Sequence, residues 1–535
     1  MLKKVRHLLI FYAVWDCLTT LPASLYSCGQ SPELYDFVRS VIANFLSVVV
    51  YHCMPEGAAM KNIFLSVLLI LCLYGTVAAA PGDVADVPGN PAVLCSTVLK
   101  DDDFVPGGAA LDTLLQQTCS TTPEGCMPDD ANRQAFLGLN AELLAGSSHI
   151  SRAALEAFFK EDSQAHQFEF YELGYIFDTL LLKRISDAAC AKANPALEKV
   201  QRLASWTFEH ISISSPQQKS SAESRPVYPL DIIERGFGLD FQISWAFAAL
   251  VQQQGMATAL AYLPLAEGEV FPVLVLVFLE EGSVLVDPAR GLVWHDPTTQ
   301  KPIGIKEALA QPKKIAQLYP QYSPAMGQSM QKVSFRIPYH PLALLPKMKT
   351  VQSVLVDTCA VRPVLYVDLA RAHSAFGHLF CRVEGQQSFS YNPALMTFTL
   401  PDRDYSCKVW LLPLVQLFAM GFQDVPAYRE ARRMHLRGEY DQADLFYRRA
   451  LAATQEPELR ADLTYFLGLL EYDRQNYQKS AFALQRYLDR YYRARADHVR
   501  FLQARIYQIE GNKKKSADFM KQLKDKTRYE YFLNR

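Results

Sequence analysis

Two carboxylates occupy positions where this chain could do chemistry. Asp240 follows Arg235-Gly236-Phe237-Gly238-Leu239 and opens a stretch of helical period, Phe241 to Gln254. Ile243, Phe247, Leu250 and Val251 share one face of that stretch. Asp287 stands before Pro288, at the end of the apolar run Val284-Leu285-Val286. A carboxylate at a helix start ordinarily caps the helix or meets its dipole, stabilising by about 0.5–2 kcal/mol. An Asp before Pro ordinarily belongs to a turn. Attack on a carbonyl needs more, a thiolate with an imidazole base. The nearest such set is Cys359, His378 and Asn392, with His378 and Asn392 14 positions apart and Cys359 19 positions upstream of His378. His378 and Asn392 fall on what read as two strands of a hairpin, Leu379 to Val383 and Phe389 to Tyr391. A structural histidine is the simpler reading of His378, and a buried apolar residue that of Cys381.

Other chemistries find little support. Past residue 80 the cysteines are Cys95, Cys119, Cys126, Cys190, Cys359, Cys381 and Cys407, an odd set that leaves one thiol over if the rest pair. No two have C-x-x-C spacing, and no histidine pair is placed to complete a zinc site. A Gly-rich phosphate loop and a G-x-S-x-G elbow are both missing from the sequence. Neither a metal nor a cofactor is expected.

The elements that would position these residues read as α+β followed by all-α. Ala257 to Leu263 and Val270 to Phe278 read as strands, the second apolar enough to be covered on both faces. Glu280-Glu281-Gly282-Ser283 turns the chain back into Val284 to Val286. A helix followed by a hairpin suggests a helix packed on an antiparallel sheet. Val351 to Val356 and Val364 to Val367 read as further strands, and Pro401 to Pro426 as a looser join. Residues 131–211 carry apolar residues at three and four, so helices are expected there. In the tail, Ala431, Gly438, Tyr440, Ala443, Tyr447 and Ala450 recur as Leu467-Gly468, Tyr477, Ser480-Ala481 and Leu484. A weaker echo follows at Ala504, Gly511 and Ala517. Small residues let paired helices approach, and large ones plug the gaps between pairs.

Length and composition fit several globular domains. There are 535 residues, half of them hydrophobic and a fifth charged, which excludes wholesale disorder. The formal net charge of -1 is uneven: Ala427 to Arg535 holds 23 Lys+Arg against 15 Asp+Glu. An acidic body with a basic tail could steer anionic partners to the tail, although scattered basic residues also suit a solvated helical surface. Near the start, Met60-Lys61-Asn62 leads into the apolar run from Ile63 and then Ala78-Ala79-Ala80. That pattern describes a signal peptide cleaved after Ala79 or, if uncleaved, a membrane anchor over Ile63 to Ala80. Residues 1–59 then read as an upstream extension, and 81–130 as an irregular linker.

The run Arg235-Gly236-x-Gly238, the Asp240 helix, Phe271-Pro272-Val273 and Asp287-Pro288 together resemble a transglutaminase-like, papain-like domain. The resemblance implies a nucleophilic cysteine at the helix start, a histidine on one strand and an acid on the next. Here Asp240 stands in the cysteine's place, Pro272 in the histidine's, and only Asp287 keeps the family residue. The tail resembles tetratricopeptide repeats. The whole is similar to a group of exported bacterial proteins that join a degenerate transglutaminase-like domain to such repeats. The expected organisation is therefore helices over 131–211, the degenerate domain over 212–332, a second α/β segment over 333–425 and repeats over 426–535. The resemblance implies a non-catalytic, envelope-exported interaction protein that grips a protein partner through Ala427 to Arg535, with no role in nucleic-acid binding. The alternatives are a cleft that binds peptide or glycan, or a cysteine hydrolase or acyl-transferase using Cys359, His378 and Asn392.

Overall fold

The computed structural model describes residues 170–213, 228–262, 274–280, 282–296, 299–311, 333–359, 362–368, 390–392, 397–399, 406–411, 428–491, 495–524 and 528–529. They fall in the second of the chain's two compact units, Met1–Val87 and Pro88–Arg535. They build a mixed α/β body and a helical C-terminal tail. The segment Ile63 to Ala80, Pro272 and His378 lie outside the described residues. Among those residues, no helix is long and apolar enough to cross a membrane.

The body opens with helices α1 (Phe170–Ala189) and α2 (Ala196–His210). A two-residue strand β1 (Ser212–Ile213) then pairs in parallel with β2 (Phe237–Gly238), and between them lies helix α3 (Pro229–Arg235). Helix α4 (Asp240–Gln252) follows, and every residue from Gln242 to Val251 is buried. A helix apolar all round must sit inside the body, and this one packs on α2, α3 and β3 (Thr258–Tyr262). Strands β4 (Leu274–Leu279) and β5 (Gly282–Asp287) form the expected hairpin, continued by the short β6 (Leu292–Val293). Helix α5 (Ile305–Ala310) precedes β7 (Ser334–Tyr339).

The sheet does not stop where the sequence suggested a boundary near residue 332. Its order is β6-β5-β4-β3-β7-β10-β9-β8, with β8 at Ser390–Asn392, β9 at Thr397–Thr399 and β10 at Ser406–Leu411. The five strands from β6 to β7 are mutually antiparallel, while β10 joins β7 in parallel with Cys407 opposite Phe335. Three expectations are corrected here, the first being Val364 to Val367, read as a strand but irregular in the structure and tied down by the Gln253 and Gln352 side chains. The stretch Val351 to Val356 is not a strand but part of helix α6 (Pro346–Cys359). Its valines have strand propensity, but Met348, Val351 and Leu355 are all fully buried, and spacings of three and four place them on one helical face. The stretch from Pro401 to Pro426 contains β10, a strand made worthwhile by its partner β7 rather than by any local pattern.

The tail is three helical hairpins among the described residues. They are α7 (Arg429–Arg437) with α8 (Tyr440–Ala453), α9 (Pro457–Asp473) with α10 (Tyr477–Tyr491), and α11 (Ala496–Ile509) with α12 (Lys513–Lys521). The turn inside each hairpin carries one left-handed residue: Gly438 (φ 82°), Gln475 (φ 63°) and Gly511 (φ 78°). These stand 37 and 36 positions apart, so the backbone repeats where the side chains do not. Gly468 of α9 is where the second hairpin closes most tightly. A Cβ there would stand 2.7 Å from Leu484 Cδ2, and the Ser480 hydroxyl donates to the Gly468 carbonyl at 2.8 Å.

Candidate functional site

The residues singled out by sequence surround the join between body and tail. Arg235-Gly236 ends α3, with Gly236 in the left-handed region at φ 65°. The Arg495 side chain, fully buried, donates 2.8 Å hydrogen bonds to both the Gly236 and Arg235 carbonyls and a 2.9 Å bond to Asp462 Oδ1. Its guanidinium lies over the rings of Tyr465 (4.5 Å), Phe237 (5.0 Å) and Phe466 (5.3 Å). A Cβ on residue 236 would come within 3.0 Å of that guanidinium, so the glycine is required by both backbone angle and close approach.

The second loop is held in the same way. Asp287 ends β5 fully buried and pairs with Arg290 at 3.0 Å, across the 3₁₀ turn Pro288–Arg290. In the register of β4 and β5, Val275 faces Val286, so Asp287 lies opposite Leu274, two residues beyond Pro272. The buried Arg528 of the tail donates to the Ala289 carbonyl at 2.8 Å. Both the Arg235-Gly236 loop and the Pro288–Arg290 turn are thus tied to the tail. Asp240 sits half-buried in the first turn of α4, a helix that packs against the Pro288–Arg290 turn. The N-terminal turn of α4 is also closed by Gln242, whose Oε1 accepts from the Leu239 N–H at 2.9 Å.

Of the relocated set, His378 lies outside the described residues. Cys359 ends α6 and Asn392 ends β8. The thiol whose surroundings are described is Cys190, a free buried cysteine whose pKa burial pushes up to about 11. That is the wrong direction for a nucleophile, which needs its thiolate at neutral pH.

Sequence reasoning missed the polar network across the join. Glu234, buried in α3, pairs with both Arg429 and Arg433 of α7; Arg429 also reaches Asp231 at 3.2 Å and Arg433 reaches Asp178 at 3.0 Å. Burial pushes Asp231 up to about 6, against the pull of Arg429. Beside this network, Asp473 of α9 bridges two histidines. His210 Nε2 lies 3.0 Å from Oδ1, and His435 Nε2 lies 2.8 Å from Oδ2. The Arg432 guanidinium, which can only donate, is 3.0 Å from His435 Nδ1, so that nitrogen accepts and the proton sits on Nε2, facing Asp473. Burial pushes the Asp473 carboxyl up, but His210 and His435 more than offset it and hold it well below the usual range. Burial lowers His435 to about 4.

The hydrophobic cores interlock as well. Phe208 of α2 sits in the tail core, edge-on to Phe501 at 4.9 Å, while Leu436 of α7 packs on the body core. His498 of α11 receives the Tyr465 hydroxyl at Nδ1 (3.0 Å) and donates from Nε2 to the Phe208 carbonyl (3.1 Å). The excess of basic residues in the tail and acidic ones in the body, visible in composition, is thus partly consumed within the molecule. The one sequence signal for it was the cluster of arginines in α7, of which Arg429 and Arg433 find their acidic partners roughly 200 residues away.

Among the described residues, no group of three or more His, Cys, Asp or Glu side chains could hold a metal ion. No protein-family model, no curated protein and no solved structure matches the chain.

Proposed function

We propose that this chain is a non-catalytic scaffold, exported to the cell envelope, with a degenerate transglutaminase-like body that serves as a mount for tetratricopeptide-like repeats. One observation carries the reading: the loops on either side of the degenerate site, Arg235-Gly236 and the turn at Ala289, are occupied by tail arginines 495 and 528. Loops that position a substrate must stay open to it, whereas these have their carbonyls spent on a neighbouring element. Asp240 in place of a thiol supports the same conclusion, since a carboxylate without an imidazole cannot open an amide by the papain-like route.

The partner-binding face of this scaffold is the outer surface of the hairpins. Leu445 of α8 and Phe482 of α10 are 47% and 73% exposed and stand 37 positions apart, the offset of the repeat. They therefore mark equivalent places on successive hairpins. The test uses the full chain. Purified protein should turn over neither amide nor ester substrates, and a thiol-reactive amide-hydrolase probe should not label Cys359 in a manner that depends on His378. Separately, a cellular partner crosslinked to the wild-type chain should be lost with L445D/F482D. Turnover abolished by a single substitution in the fold would overturn the reading, as would a partner held equally by the double variant.

A further inference from the structure

The last hairpin carries more positive charge than the carboxylates around it neutralise. Lys513, Lys514 and Lys515 fill the first turn of α12, next to the positive end of the helix dipole, where cations are disfavoured. Lys521 and Lys524 follow, and all five are exposed. Among the described residues, Lys513, Lys514 and Lys515 have no carboxylate within ion-pair distance, while Lys521 reaches Asp518 at 3.8 Å on an exposed surface. Within residues 509–524 five lysines stand against two carboxylates, Glu510 and Asp518, and Asp497 of α11 adds a third by accepting the Lys524 N–H at 3.1 Å. The platform beneath them is packed. Tyr507 stacks on Phe519 at 5.6 Å, Lys515 Nζ lies 5.0 Å from the Tyr507 ring centre, and the Asn512 side chain caps the Lys515 N–H at 3.1 Å. Beside them Ile509, the last residue of α11, is 45% exposed.

We propose that this tip, Ile509 with Lys513, Lys514 and Lys515, docks on an anionic lipid bilayer surface. Clustered lysines gain from the negative potential of such a surface, and an aliphatic side chain among them can enter the boundary between headgroups and acyl chains. A single-stranded nucleic acid would instead need open aromatic faces for its bases. Here the aromatic ring of the tip, Tyr507, is already stacked by Phe519 and covered by Lys515. This face is separate from the Leu445 and Phe482 surface, so it can fail without affecting the scaffold reading.

The experiment is vesicle flotation with the full chain at about 0.1 M salt. It compares vesicles of phosphatidylcholine alone with vesicles of phosphatidylcholine and phosphatidylglycerol at a seven-to-three ratio. Partition to the neutral vesicles measures any charge-independent insertion, including that of Ile63 to Ala80; the difference between the two is the charge-dependent part, and the share of it that the lysine variant removes belongs to the tip. A lysine near an anionic surface is worth about fivefold in partition, so K513E/K514E/K515E should lose on the order of 100-fold of the anionic preference. Raising the salt should erode the wild-type preference. I509D should weaken anionic binding several-fold and I509L should retain it; melting curves on each variant verify folding. Equal partition of wild type to both vesicle types overturns the proposal. So does an undiminished anionic preference in the triple variant, or a triple variant that loses only binding to polyuridylate while vesicle partition is unchanged.

Discussion

Removing the Arg495 guanidinium should loosen the whole molecule, because three separate acceptors from two regions depend on it. In R495A the Gly236 and Arg235 carbonyls each lose a 2.8 Å donor and Asp462 loses a 2.9 Å ion-pair partner. A buried acceptor stripped of its donor costs about 1–3 kcal/mol. Truncating one member of a buried ion pair costs about 3–5 kcal/mol. Asp462 keeps some contact with water, the Gly236 carbonyl keeps the Ser212 N–H at 2.9 Å, and the effects overlap, so about 4 kcal/mol is the expected total. At roughly 2–4 °C per kcal/mol, the melting temperature should fall by roughly 8–16 °C. The assay is thermal unfolding of the full chain followed by circular dichroism, with limited proteolysis to show whether the tail is released first. R495K should fall between wild type and R495A, since one ammonium cannot present a planar fork to two carbonyls and a carboxylate. R448A is the control: its side chain is 63% exposed and pairs with Asp444 on the same helix, so it should cost under about 0.5 kcal/mol. If R495A melts within about 1 kcal/mol of wild type, the join does not hold body and tail together as argued.

Three further outcomes are expected. G236A should destabilise by about 2 kcal/mol in a urea titration, because φ 65° is strained for alanine and its Cβ would crowd Arg495 at 3.0 Å. G468A should cost about 1–3 kcal/mol and cost less in an L484A background, because the new Cβ collides with Leu484. His340 stacks on Tyr175 at 4.3 Å and accepts the Leu342 N–H at Nδ1, and burial lowers its pKa to about 3. Because that value lies below the roughly 6.5 of a free imidazole, the stability held by neutral His340 is full above pH about 6.5. It is lost as the pH falls toward about 3. Wild type should therefore lose about 1.4 kcal/mol more than H340F between pH 7.5 and 5.5; a difference independent of pH would show that His340 is not held neutral by the fold.

Much of the local structure could be read from residue pattern alone. The run from Asp240 to Gln252 has helical period and ends near Gly255, and the apolar run at Leu274–Leu279 turns back at Gly282, so helix and hairpin follow from side-chain spacing. The residue types at the two candidate positions were equally plain, because Asp240 and Pro272 are what the sequence holds. Where the pattern misled, the competing force was non-local. Val351 to Val356 has the branched side chains of a strand, but burying Met348, Val351 and Leu355 on one face outweighs that weak preference. Strand β10 exists because β7 offers it a hydrogen-bonding edge.

The role of the Arg235-Gly236 loop lay beyond any local reading. By type and spacing it suggested the threshold of a catalytic helix, and only the folded chain brings Arg495, 259 positions from Gly236, onto its carbonyl. Composition likewise disclosed that the tail is basic and the rest acidic, but not that Arg429 and Arg433 spend their charge on Asp178, Asp231 and Glu234. Sequence thus determined the Asp240 helix, the β4–β5 hairpin and the residue types that stand at their ends, since these depend on residue type and short spacings. Tertiary structure alone decided which charges neutralise one another, because attraction between groups some 200 residues apart acts only after the chain has brought them within a few ångströms.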